Sequence, residues 1–169
     1  MTTLETERLR LRPIRVEDAD FIIDLLNDPD FVRNIGDRGV RSVDDAADYI
    51  RNGPKGLSES FGWRLWLVTI RETATPIGTC GLLKRVMMDD VEIGYALLPQ
   101  FRSKGYALEA ASAVARYGCE ALGLTRLAAV VKSGNVASIR VLETLGMRHD
   151  GMIRLAENEP ELMLFRREL

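Results

Sequence analysis

The stretch Leu97-Leu98-Pro99-Gln100-Phe101-Arg102-Ser103-Lys104-Gly105-Tyr106-Ala107 joins an apolar run to an alanine-rich one and has the makings of an anion site. The first N–H groups of a helix have no intrahelical acceptors, and the helix dipole is positive at that end. Gly105 and Ala107 leave room for a phosphate to approach those groups, and Arg102 and Lys104 add charge beside them. The same residues also suit an ordinary strand-to-helix turn, so the turn alone decides nothing. A second residue of chemical interest is Glu92. In the run from Val91 to Leu98, the alternate set Glu92, Gly94, Ala96 and Leu98 holds one acid among small and apolar groups.

The elements that must position these groups follow from apolar spacing. Leu9, Leu11 and Ile14 predict a first strand that ends at Pro13. A helix opens at Glu17-Asp18, carries Val16, Ala19, Ile22, Ile23 and Leu26 as its apolar stripe, and is stopped by Asn27-Asp28-Pro29. Ser42, with Asp45 three positions on, caps a second helix that runs to Gly53-Pro54. Runs Arg64 to Ile70, Pro76 to Leu83 and Val91 to Leu98 predict consecutive antiparallel strands. A long helix is expected from Ser103 to Leu122, with Leu108, Ala111, Ala115, Cys119 and Leu122 inward. Thr125 to Val131 is a further strand, Asn135 to Leu145 a helix closed by Gly146, and Glu161 to Glu168 a last strand or half of a hairpin. The result is one mixed α/β domain over residues 1–169, with helices covering a mostly antiparallel sheet.

Composition narrows the functions. The chain has 169 residues, and its 23 Lys and Arg against 25 Asp and Glu give a formal charge of −2, which supplies no basic field for nucleic acid. Cys80 and Cys119 form no C-x-x-C pattern, and one histidine, His149, cannot build a multi-histidine metal site, so no metal is expected. The N-terminus MTTLETERLRLRP does not read as a signal peptide, and the longest apolar runs, such as Ile93 to Leu98, fall well short of the roughly 20 residues of a membrane span. A reducing, cytoplasmic setting without a membrane partner is expected.

The turn belongs to a larger pattern. R-x-x-G-x-A from Arg102 to Ala107, preceded by Leu97-Leu98-Pro99 and followed by Glu109, resembles the coenzyme A pyrophosphate loop of the GNAT acetyltransferase superfamily. Asn135 and Ser138 in N-x-x-S, then Leu145-Gly146-Met147, resemble its next helix and closing glycine. Thr6-Glu7-Arg8-Leu9-Arg10-Leu11-Arg12 and Glu92-Ile93-Gly94-Tyr95 resemble the RimJ/RimL-type subgroup. The resemblance implies a twisted, mostly antiparallel sheet of six to seven strands, splayed at the cofactor and flanked by about four helices. It implies that acetyl-CoA lays its pantetheine arm along the backbone of Leu97 and Leu98. Its pyrophosphate would rest on the amides of Ser103, Lys104, Gly105, Tyr106 and Ala107, with Arg102 opening the loop and Asn135 binding from the next helix. It further implies an amine acceptor and a homodimer. The tyrosine that many members carry four positions after the N-x-x-S serine is Leu142 here, which leaves Ser138 as the nearest hydroxyl for the leaving thiolate, unless it bonds its own backbone.

Acetyl transfer needs a neutral amine. At pH 7 a free lysine is about 0.04% neutral, whereas an α-amine is roughly 10 to 20% neutral. Glu92 is the candidate base, directly or through water, its alternative being a carboxylate paired with an arginine. A backbone N–H near Leu97 would meet the oxyanion. Cys80, mid-strand, reads as a buried hydrophobe, and His149 as structural or exposed. Phe31, Arg33 and Trp66, with Trp63, are candidates for the acceptor pocket, although strand aromatics also suit a core. Arg33, Arg38 and Arg41 would suit an acidic acceptor. The RimJ/RimL-type resemblance implies a protein N-terminal α-amine as acceptor, or else a small amine such as an amino acid, polyamine or antibiotic. The rival is a non-catalytic acyl-CoA sensor, motivated by Leu142. A nucleotide site is disfavoured by the lack of G-x-x-x-x-G-K-[ST].

Overall fold

Alternating and helical apolar patterns resolve, in a computed structural model that describes residues 2–53 and 63–169, into one sheet with helices on it. The strands are β1 (Leu4–Glu5), β2 (Leu9–Pro13), β3 (Trp63–Ile70), β4 (Pro76–Leu83), β5 (Val91–Leu97), β6 (Arg126–Val131), β7 (Arg148–Ile153) and β8 (Leu162–Glu168). The helices are α1 (Ala19–Leu26), α2 (Pro29–Asn34), α3 (Val43–Asn52), α4 (Tyr106–Leu122) and α5 (Val136–Thr144). Sheet order is β1-β2-β3-β4-β5-β6-β8-β7, and every neighbouring pair is antiparallel except β5 and β6. None of the helices among the described residues is long and apolar enough to cross a membrane.

The architecture is the expected one, with more parts. Among the described residues, eight strands replace six to seven because β1 has only two residues and β7, Arg-His-Asp-Gly-Met-Ile, is almost wholly exposed and carries no apolar alternation. A fifth helix, α2, begins where the sequence was expected only to stop. Asp28 accepts a hydrogen bond from the Phe31 N–H at 3.1 Å and Pro29 occupies the first helical position, so Asp-Pro starts α2 as well as ending α1. The capping box of α3 forms as predicted, Ser42 and Asp45 each accepting from the other's backbone N–H.

The main core lies between the sheet and α4. Trp66 is 0% exposed, meets Tyr117 edge to face with centroids 5.2 Å apart, and donates its indole N–H to the Thr2 carbonyl at 2.8 Å. Each fully buried leucine or isoleucine of this core contributes about 1.5–3 kcal/mol. The buried stripe of α4 runs Ala111, Val114, Ala115 and Gly118; Cys119, expected inward, is exposed. Small residues on that stripe let α4 lie close to β4 and β5.

Asp90, just before β5, joins the two halves of the sheet. Its carboxylate accepts from Arg126 of β6 at 2.5 Å and from Arg166 of β8 at 2.7 Å. Burial alone would raise its pKa, but hydrogen bonds from Arg166 and Arg126 outweigh burial and hold it below the usual carboxylate range. A lowered pKa in the folded state adds stability that is complete above the unfolded value and disappears as pH falls through the folded one. Thermal stability is therefore expected to drop below about pH 4. Asp90→Asn should lower Tm at pH 7 and flatten that acid limb, as melts across pH 2.5–7 would show; an unchanged limb would refute the assignment.

Candidate functional site

The site begins where β5 and β6 part. Their pairing comprises Val91 with Leu127 and Glu92 with Ala128, then stops, while β4 follows β5 to Leu97. β4 comes very close: a Cβ on Gly78 would lie 2.1 Å from the Ala96 carbonyl oxygen. The Leu98 N–H donates to the Ile77 carbonyl at 2.9 Å, and alternate residues of an antiparallel ladder turn their groups to the same neighbour. Leu98 and Ala96 therefore face β4, and the groups facing the gap belong to Tyr95 and Leu97. This corrects the expectation for Leu98: parity of register puts Tyr95 beside Leu97 on the open edge.

At the end of β5, a 3-10 turn over Pro99–Phe101 and a loop from Arg102 to Gly105 lead into α4. Ser103 (φ +59°) and Gly105 (φ +82°) adopt left-handed conformations, and no side chain caps α4, so its first amides stay open to an anion. Lys104 is exposed beside them. The N-terminal segment braces this loop, a role the sequence reading missed. Glu109, in the first turn of α4, accepts from Thr6 Oγ1 (2.6 Å), the Arg8 N–H (2.9 Å) and Arg8 Nε (2.7 Å), while Arg8 Nη1 donates to the Lys104 carbonyl at 3.0 Å. The Arg8 guanidinium also lies 4.6 Å over the Tyr106 ring. Burial would raise the Glu109 carboxyl, but the Thr6 and Arg8 hydrogen bonds prevail and hold it low. The guanidinium of Arg102 takes another direction: Nε donates to the Leu97 carbonyl at 2.8 Å and the two Nη atoms to Asp28 and Asp30 of the α2 turn.

Across the gap, Asn135 caps α5 by accepting from the Ser138 N–H at 3.2 Å. The Ser138 hydroxyl meets the Tyr95 hydroxyl at 2.9 Å, and Tyr95 also donates to the Ser138 carbonyl at 3.2 Å. Burial pushes the Tyr95 phenol up to about 12, so it stays protonated at neutral pH. Tyr95 thus bridges the lips of the gap with its side chain and lines it with its backbone, and the signal for it was its place in the alternation of β5. Leu142 is packed in the core. Glu92 is 5% exposed, with its carboxylate held by Arg85 through Nε at 2.5 Å and Nη2 at 3.4 Å. Cys80 is fully buried and burial pushes its thiol up to about 12, which leaves no thiolate for nucleophilic chemistry. His149 rests against Phe165, centroids 5.5 Å apart. Among the described residues, no group of three or more His, Cys, Asp and Glu side chains could hold a metal ion.

The expected acceptor residues separate. Phe31 is 7% exposed and packs with α1 and α3, and Trp66 is in the main core, so both are corrected from pocket to core: their large apolar surface is better buried than kept at an opening. The Trp63 side chain lies outside the described ones. Arg33 does line an opening of about 380 Å³, shared with Asn34, Lys132, Ser133, Gly134, Pro160 and Glu161. Arg33 pairs with Asp30 at 2.5 Å, and Arg41 with Asp37 at 2.6 Å. Among the described residues no carboxylate pairs with Arg38, whose buried Nε has no partner.

Comparison with known proteins agrees with this geometry. The sequence model described as "Acetyltransferase (GNAT) domain" matches residues 8–148. The chain is 36% identical to the uncharacterized N-acetyltransferase YoaA of Bacillus subtilis (strain 168) over 152 residues, 89% of this chain and 85% of that protein. It superposes on an acetyltransferase from Agrobacterium tumefaciens str. C58 with a TM-score of 0.82 at 27% identity, covering 100% of this chain and 95% of the other. RimL, the ribosomal L7/L12 α-N-protein acetyltransferase solved with coenzyme A, shares the fold with a TM-score of 0.83 at 14% identity, covering 99% and 98%.

Proposed function

The chain belongs to the GNAT acetyltransferase family as an acetyl-CoA-dependent N-acetyltransferase, and from that premise we propose that its acceptor is a protein N-terminal α-amine. The observation that carries the site reading is the gap itself: β5 loses β6 after Glu92, while a short turn and loop lead from β5 to the uncapped N-terminus of α4. These parts fit acetyl-CoA. The amides of Ser103 to Ala107 would take the pyrophosphate, with Lys104 adding charge, and the backbone of Tyr95 and Leu97 would pair with the pantetheine arm as an added strand does. Asn135 holds the far lip of the gap as the cap of α5.

Bound there, acetyl-CoA supplies an activated acyl group, and the chain orients it. An N–H on the open edge, that of Tyr95 or Leu97, would polarise the thioester oxygen. The incoming amine would attack the thioester carbon directly, and Glu92, paired with Arg85, would receive its proton through water. Ser138, hydrogen-bonded to Tyr95, presents a hydroxyl to the departing sulfur. An α-amine suits a site with so modest a base, since roughly 10 to 20% of it is neutral at pH 7 without help. Support for this acceptor comes from the RimJ/RimL-like motifs and from the activity named for RimL.

Calorimetric titration should give micromolar affinity for acetyl-CoA and none for ATP or NAD. Thiol release should then be faster with N-terminal peptides than with Nα-blocked lysine peptides or polyamines. Tight binding without release on any amine would establish the acyl-CoA sensor instead, the reading that Leu142 supports. Faster release with a small amine would reassign the acceptor.

A further inference from the structure

Arg102 opens the loop assigned to the cofactor, yet its bonds lead toward the opening beside Arg33. Its Nε donates to the Leu97 carbonyl on the open edge of β5 (2.8 Å), one Nη donates to Asp28 (2.5 Å), and the other bonds Asp30. The second oxygen of Asp30 pairs with Arg33 at 2.5 Å. The backbone carbonyl of Arg33 accepts from Lys132, the residue that follows β6. Helix α2 is thus tied at one end to β5 and at the other to the end of β6, the two strands that part at the site.

A six-residue helix cannot hold itself in place. Phe31 anchors α2 by packing, and the polar ties fix where it points. A planar guanidinium is suited to hold a carbonyl and two carboxylates at once, which a lysine cannot do with the same geometry. We infer that Arg102 is a positioning residue for the acceptor, holding α2 as a crosspiece between β5 and β6 so that the opening beside Arg33 stays in register with the open edge of β5. This rests on the proposed function for the gap as the cofactor site, and itself assigns the opening lined by Arg33, Lys132 and Glu161 to the acceptor.

Asp30→Asn cuts the path from Arg102 to Arg33 while leaving the Asp28 cap and the Leu97 bond in place, so it tests the inference without unfolding α2. With an N-terminal peptide as acceptor, the acceptor KM is expected to rise by about tenfold, while kcat and the acetyl-CoA Kd stay within about twofold. Amides 29–36 should exchange hydrogen faster than in the wild type, with or without acetyl-CoA. Arg102→Lys should raise the acceptor KM more strongly, and the double variant should bind the acceptor no worse than Arg102→Lys alone. An acetyl-CoA Kd that rises as much as the acceptor KM would make Arg102 a cofactor ligand and overturn the inference. Faster exchange with no change in KM would overturn it as well, leaving a purely structural tie. Failure of the wild type to bind acetyl-CoA, measured before any variant, would remove the proposed function and this inference with it.

Discussion

Gly105→Val is expected to weaken acetyl-CoA binding by about 100-fold, equivalent to about 2.7 kcal/mol, with the fold intact. Two effects add. At φ +82° an L side chain is strained, and a β-branched one most of all. A Cβ there would also lie 3.2 Å from Arg8 Nη2, so Arg8 must shift, and Arg8 is what ties Glu109 and the Lys104 carbonyl to the N-terminal segment. A tilt of that loop misaims the amides that receive the pyrophosphate. Gly105→Ala, which bears the backbone strain without the branched bulk, should lose roughly tenfold. Calorimetry on both variants decides the matter, and full affinity in Gly105→Val would mean that the phosphates lie elsewhere.

The turn from β5 into α4 was legible in the sequence, because the residues that open α4 are contiguous. The same holds for the cap at Ser42 and for β4, whose bounds match the prediction residue for residue. Partner choice over long distance was not legible. Arg102 and Lys104 looked equivalent as cations beside a turn, but Arg102 finds Asp28 and Asp30, 74 and 72 positions away, while Lys104 stays exposed. Glu109 was visible as a motif residue, and its purpose was not, because Thr6 and Arg8 are more than a hundred positions distant. The error over Leu98 has another origin: a strand's alternation can be read from one chain, but which set of backbone groups faces a gap depends on the partner strand's register. Phe31 and Trp66 show the same limit, since an aromatic's composition does not say whether a cavity or a helix lies over it.

Glu92→Gln is expected to lower kcat by about 100-fold at neutral pH and leave the acetyl-CoA Kd unchanged. Glutamine keeps the shape and one acceptor for Arg85 but cannot take a proton. The loss should shrink as pH rises, because the amine then arrives already neutral, and it should be smaller for an α-amine than for a lysine side chain. The Arg85 pair offers a rival cause, since breaking an ion pair around a carboxylate that is 5% exposed destabilises the fold around β5. Arg85→Gln separates the two. It disrupts the same pair but keeps the carboxylate, so it should lower Tm while holding kcat within a few fold. If both variants lose activity equally, or if Glu92→Gln turns over at the wild-type rate at pH 7, Glu92 is a structural partner of Arg85 and the amine reaches the thioester without a protein base.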